Sequence, residues 1–384
     1  MMRKKVGLVL TGGGARAGYQ AGVLKGIAEI INRRPEEPSP FEVLVGVSAG
    51  AINSAFLASK SGEGFLEATE SLCQLWGTLT AENVIRSDFL TLSVLGIRWL
   101  RDLSLGGLLG NSRSTYLLDA SPLQGFLSEH IDFEAIKANL QNGALHGVAI
   151  SATNYQTGTT VIFFVGAPGV EPWIRSSRVG LRTTIKLNHV LASAAIPVFF
   201  QPVRLDGFFY GDGCVRLTTP LSPAMHLGAE RVLAIGIRHQ RPDNITLELN
   251  QRSGMSAISL IDIAGVMLNA AFLDALDTDI ERMQRINKTI AVLRRAGKEH
   301  PDKLREIPLL AIRPSQDLGT LAAEQFNRFP NMLRYLLKGI GASTEKGWDL
   351  LSYLAFDEAY THRLIAVGYQ DALAQRDAIR QFFK

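Results

Sequence analysis

Apolar positions along the chain change period several times, and those changes outline the elements. Val6 to Leu10 is an unbroken β-rich run that ends at Thr11 and three consecutive glycines. From Gly18 to Ile31 the spacing turns helical, with Val23, Leu24, Ile27, Ile30 and Ile31 returning every one to four residues. Pro35, Pro38 and Pro40 break it. Val43 to Val47 is a second buried strand, and Ala49 to Ala58 a second helix with Ile52, Ala55 and Phe56 on one side. Strands without polar alternation, separated by helices, predict a mainly parallel sheet covered on both faces.

Further along, the pattern predicts a helix over 62–80 and strands over 148–154 and 159–165 joined by a Gln-Thr-Gly turn. A short helix over 190–195 stops at Pro197, and a strand over 203–209 leads into Gly211-Asp212-Gly213. Arg231 to Ile237 is a strong buried strand. Ile258, Ile261, Gly265, Leu268, Phe272, Leu276, Ile280 and Met283 describe one long amphipathic helix. Pro308 to Ile312 returns as a strand, and the remainder is mostly helical. The expected organisation is an α/β domain over 5–320, with a long helical segment at 257–297, followed by a helical C-terminal extension over 321–384.

Composition narrows the class. Hydrophobic residues make up 46% of the 384 and charged residues 20%, as in a globular protein with a large core. The net charge of +4 is small for this length and forms no dense basic stripe, which argues against a nucleic-acid partner. Arg3-Lys4-Lys5 and Arg294, Arg295 and Lys298 are local clusters that fit solvated helix faces or anionic head groups. Two cysteines, Cys73 and Cys214, give no disulfide framework and point to a reducing compartment. The N-terminal apolar run is too short for a signal-peptide core. Residues 89–109 mix apolar residues with Arg98, Arg101 and Asp102, which a membrane span tolerates poorly. That segment reads equally as a lid or lipid-docking surface and as a buried helix under a loop. The expected location is cytoplasmic, with peripheral membrane contact through 89–109 if the docking alternative holds. Oligomeric state leaves no sequence signal.

Gly46-Val47-Ser48-Ala49-Gly50 is a G-x-S-x-G string set between a predicted strand and a predicted helix. Such a turn is sharp and presents the serine hydroxyl outward, while the following helix start supplies backbone N–H groups. Thr11-Gly12-Gly13-Gly14 also lies between a strand and a helix, where converging N–H groups suit a negative oxygen. A nucleotide cradle would call for an acidic residue ending the second strand, but the Ser48 turn stands there instead. Both loops leave a parallel sheet at its C-terminal edge, so an oxyanion hole facing Ser48 is the better interpretation. Arg16, two residues on, suits either developing charge or an ion pair capping the loop. Serine needs a base. None of the seven histidines lies in a distinctive loop after a clear strand. Asp212, framed by glycines at a strand end, can be aimed at a neighbour or be a plain turn aspartate. No His/Cys/Asp cluster has metal-ligand spacing, and no cofactor motif is present.

The strings GGGARAGYQAGVL, GVSAG, ASAAIPVFFQPV and GDG, in that order over roughly residues 5–240, resemble the patatin-like phospholipase family. The resemblance implies a three-layer α/β/α fold and hydrolysis of phospholipids or other lipid esters by a Ser-Asp dyad. It maps the nucleophile to Ser48, the base to Asp212 and the oxyanion hole to Gly12, Gly13 and Gly14, with Arg16 beside it. Three positions depart from the family pattern. Cys214 stands where glycine or alanine usually follows Asp-Gly, Thr218-Thr219-Pro220 replaces Asn-x-Pro, and Ala17 replaces a glycine after the arginine. None removes a reacting atom. With an unperturbed aspartate pKa near 4, activity is expected to persist below about pH 6, where a histidine triad fades. Two alternatives stay open: an α/β-hydrolase-type esterase or acyltransferase with a Ser-His base, and an inactive relative that binds lipid or a partner.

Overall fold

The computed structural model describes residues 4–31, 36–86, 116–240, 243–251, 260–298, 300, 304–325, 334 and 348–384. Ten strands among them form one sheet. They are β1 (Val6–Leu10), β2 (Val43–Val47), β3 (Gly147–Asn154), β4 (Thr159–Gly166), β5 (Trp173–Arg175), β6 (Arg178–Arg182), β7 (Val203–Leu205), β8 (Phe208–Asp212), β9 (Arg231–Ile235) and β10 (Leu309–Ile312). The order is β10-β9-β1-β2-β3-β4-β6-β5, with β8 attached to β3 and β7 to β8. From β10 to β3 every neighbouring pair is parallel.

The unbroken apolar runs have a direct cause. Leu8 and Leu10 of β1 point into one core cluster while Val9 points into another, so neither face meets water. The first cluster lies under α1 (Gly18–Ile30), α2 (Ala49–Ser59), α3 (Phe65–Gly77) and the helix Glu358–Ala374. The second lies under the helices Ser222–His226 and Asp274–Arg295. Helices therefore cover both faces, and the architecture is mixed α/β in three layers around a mostly parallel sheet. Helix Glu358–Ala374 packs on α1 with backbones touching. A Cβ on Gly22 would fall 2.0 Å from the Ile365 carbonyl oxygen, and one on Gly368 2.1 Å from that of Tyr19.

Several elements differ from the sequence-based expectation. The strand over 203–209 is a hairpin: Asp206 and Gly207, at φ 47° and 89°, turn the chain between β7 and β8. The long helix through 258–283 is two helices, Leu260–Phe272 and Asp274–Arg295, parted at Leu273. Strands β5 and β6 and the helices Ser121–His130 and Phe133–Gln141 were not foreseen. The segment 89–109 lies outside the described residues. No helix among the described residues is long and apolar enough to cross a membrane.

Strand β3 decides where the site forms. It is eight residues long against five for β2, and β4 occupies one edge along its whole length. On the other edge, Gly147–Ser151 pair with β2. The overhanging Ala152–Asn154 pair antiparallel with Tyr210–Asp212 of β8.

Candidate functional site

That shared edge fixes a meeting point. Val47 stands opposite Ser151, and Asp212 stands opposite Ala152, the next residue along. The chain leaving β2 therefore runs straight into the end of β8. Ser48 Oγ donates a hydrogen bond to Asp212 Oδ2 at 2.5 Å. Both side chains are buried, Ser48 at 1% and Asp212 at 0% exposure.

Each partner is held by its surroundings. Ser48 has φ 55° and ψ −130°, a conformation that costs a non-glycine residue energy and marks a sharp strand-to-helix turn. The flanking glycines are required sterically. A Cβ at Gly46 would sit 2.3 Å from the Gly50 oxygen, and one at Gly50 2.2 Å from the Leu10 oxygen. The Ser48 amide donates to Ser193 Oγ (2.9 Å), whose hydroxyl donates to the Ser151 carbonyl (2.6 Å). The Asp212 amide donates to the Ala195 carbonyl at 2.9 Å, and its carbonyl accepts from Thr153 Oγ1 at 2.8 Å. Its second carboxylate oxygen, Oδ1, accepts from the Cys214 amide at 2.8 Å.

Burial pushes the Asp212 carboxyl up from 3.8 to about 7, against the opposing pull of the bonds from Ser48 and Cys214. The expectation of activity well below pH 6 used the exposed aspartate value, and burial moves this carboxyl away from it. A carboxyl raised this far loses its charge in the same range as a histidine, so the acid limb of a pH profile would not separate the two. The Cys214 thiol also bears on the carboxylate, and burial raises its own pKa well above the ordinary value, keeping it protonated. The sequence marked Cys214 only as a departure from the family pattern. Its Sγ lies 2.5 Å from where a Cβ on Gly12 would be, so it is wedged between the glycine loop and Asp212.

The glycine loop does reach Ser48. A Cβ on Gly12 would lie 2.4 Å from Ser48 Cβ, so only glycine lets the loop pass this close to the hydroxyl. At Gly13 a Cβ would strike Ile237 Cδ1 (1.7 Å), and a Cβ on Gly14, which has φ 56°, would fall 2.1 Å from the Tyr353 carbonyl oxygen. Arg16 is 2% exposed; its Nε donates to Ser352 Oγ at 2.7 Å and its guanidinium lies 4.6 Å above the Tyr353 ring. An apolar recess opens from Ser48 between Ile52, Trp76, Leu123, Ile196, Phe200 and Phe356. No histidine is hydrogen-bonded to Ser48 among the described residues: Nδ1 of His189 accepts from the Lys186 amide, and His226 stacks on Trp173 at 4.4 Å. No group of three or more His, Cys, Asp or Glu among the described residues is placed to hold a metal ion.

A carboxylate bonded to a strained serine hydroxyl, beside a glycine loop and an apolar recess, has the parts for acyl transfer. The model of the patatin-like phospholipase family matches residues 8–225, more than half of the chain. The chain belongs to the patatin-like phospholipase family. This patatin-like protein thereby falls among the lipid acyl hydrolases. No curated protein matches it. Among solved structures, VipD from Legionella pneumophila is similar at 12% identity and a TM-score of 0.34, over 98% of this chain and 67% of that one. Human GIVD cytosolic phospholipase A2, bound to methyl gamma-linolenyl fluorophosphonate, is similar at 14% identity and a TM-score of 0.41. That alignment covers 99% of this chain but only 59% of the human one. ExoU from Pseudomonas aeruginosa, in complex with SpcU, gives 14% identity and a TM-score of 0.27, over 91% and 76% of the two chains.

Proposed function

We propose that this patatin-like protein cleaves carboxylic esters of phospholipids or related lipids with Ser48 as nucleophile and Asp212 as its base. Ionised Asp212 takes the Ser48 proton as Oγ attacks the ester carbonyl. Backbone N–H groups of Gly12, Gly13 and Gly14 receive the negative oxygen, each good donor being worth about 3 kcal/mol to the transition state. Collapse expels the alcohol, which leaves with the proton held by Asp212. Asp212 then deprotonates a water that attacks the acyl-serine; the adduct collapses by breaking the acyl–Oγ bond, Asp212 returns the proton to Ser48 Oγ, and the fatty acid departs. The acyl chain enters at the apolar recess beside Ser48, widening a space that otherwise holds about one water molecule. The substrate comes from a lipid surface that the protein meets peripherally.

The observation that carries this proposal is the 2.5 Å bond from the Ser48 hydroxyl to the fully buried Asp212 carboxylate. The direct test labels the protein with a fluorophosphonate probe and measures hydrolysis of a phospholipid panel. Wild type is expected to be labelled at Ser48 and to hydrolyse lipid. Ser48→Ala abolishes both, and Asp212→Asn lowers kcat by roughly 100- to 10,000-fold, the range for loss of a positioned base. Full activity in Asp212→Asn combined with loss on replacing a histidine would transfer the base role and end the dyad.

A further inference from the structure

The family match ends at residue 225, yet the site is walled by a stretch far beyond it. Ser352, Tyr353 and Phe356 are 0%, 2% and 9% exposed. Ser352 accepts the Arg16 Nε bond, the Tyr353 carbonyl lies against Gly14, and Phe356 lines the recess that begins at Ser48. Three neighbouring residues thus touch three different parts of the site.

This stretch is itself anchored on both sides. The Tyr353 hydroxyl donates to Asn269 Oδ1 at 3.2 Å, and its ring packs on Phe272 with centroids 5.3 Å apart. Just after Phe356, Asp357 caps the helix Glu358–Ala374 by accepting from the amides of Ala359 and Tyr360. That helix lies backbone to backbone on α1, the helix that continues from the glycine loop. The loop and the stretch are therefore fixed to a common frame.

We propose that residues 352–356 are a positioning and selectivity element of this site: Ser352 and Tyr353 set the glycine loop against Ser48, and Phe356 sets the depth of the acyl recess. The proposal rests on Ser48 being the nucleophile. Arg16 is a buried charge beside the loop, and each partner it keeps limits where the loop can go. Losing the Ser352 bond loosens a loop whose donors act mainly in the transition state, so kcat falls while KM holds. Phe356 acts differently. Replacing its ring by a smaller group admits more of the acyl chain, and each further buried methylene favours the longer ester by about fourfold.

The test uses the full chain and a series of p-nitrophenyl esters from butyrate to palmitate, with far-UV circular dichroism confirming the fold of each variant. Phe356→Ala should shift preference toward longer chains by about tenfold or more in kcat/KM ratio, and Phe356→Trp should shift it toward shorter ones. Phe356→Leu serves where the alanine variant does not fold. Ser352→Ala should lower kcat several-fold on every ester at unchanged KM, with Ser352→Thr restoring it. Chain-length profiles of one shape in wild type and all Phe356 variants would overturn the selectivity role. An unchanged kcat in Ser352→Ala would overturn the positioning role. Ser48→Ala separates the two levels: if it retains hydrolysis, the nucleophile assignment fails and this proposal falls with it.

Discussion

Replacing Asp212 by Asn should make the protein more stable at alkaline pH while disabling it. The carboxyl titrates near 3.8 when exposed and near 7 in the fold, chiefly because burial disfavours its charge. Between those values the native state keeps a proton that the unfolded chain has released. The unfolded state binds fewer protons there, so stability falls as pH rises. The stabilising contribution is complete below about pH 4 and lost as pH climbs through 7. Each pH unit of the window corresponds to about 1.4 kcal/mol, giving a total loss of about 4 kcal/mol. Asparagine has nearly the same shape and no charge. Its oxygen can still accept from the Cys214 amide, and its NH₂ can donate to Ser48 Oγ. The variant should therefore match wild type near pH 4 and exceed it by up to about 4 kcal/mol at pH 8. Urea unfolding of both proteins, followed by circular dichroism at intervals from pH 4 to 8.5, measures the difference directly. A gap that stays constant across that range would show that Asp212 does not ionise within a buried site, and the proposed base would lose its physical ground.

Two further perturbations test the surroundings. Cys214→Ala removes the thiol that favours the ionised carboxylate, so the acid limb of kcat/KM should move up by about half a pH unit, with Cys214→Ser returning it; an unmoved limb would exclude the thiol from the base's environment. Gly22→Ala drives a methyl group to 2.0 Å from the Ile365 carbonyl oxygen, so it should cost about 1–3 kcal/mol in unfolding experiments while leaving fluorophosphonate labelling of the folded protein intact.

Much of this was legible in the chain itself, and the exceptions have physical reasons. Val6–Leu10 and Val43–Val47 announced buried parallel strands because every residue in them enters a core. Gly46 and Gly50 announced a tight turn because nothing larger fits. The Asp206-Gly207 hairpin carried a turn signal, but the apolar residues on both sides masked it as a single strand. Strands β5 and β6 are short, and the apolar Ile174 is 76% exposed, so they carry no burial pattern to read. Ser352, Tyr353 and Phe356 lie more than 300 residues from Arg16, Gly14 and Ser48, the parts of the site they face, and no local period encodes a contact at that range. The pKa of Asp212 was misjudged for the same reason. Residue type supplies the value near 4; only the fold supplies the missing water.

That missing water links the chemistry to the topology. A proton acceptor works best when its pKa lies near the working pH, because a weaker base takes the proton reluctantly and a stronger one is already protonated. An aspartate on an exposed loop would be fully ionised at neutrality yet a poor base. Here β8 completes the overhang of β3, so the carboxylate sits inside a covered sheet rather than on a loop beyond its end. Burial there brings an ordinary aspartate into the range where histidine usually operates. A fatty acyl chain filling the recess at Ser48 would keep water away during the first step. Polar substitutions along Ile52, Leu123 or Ile196 should then weaken catalysis by rehydrating Asp212, and they should do so on short esters as well as long ones.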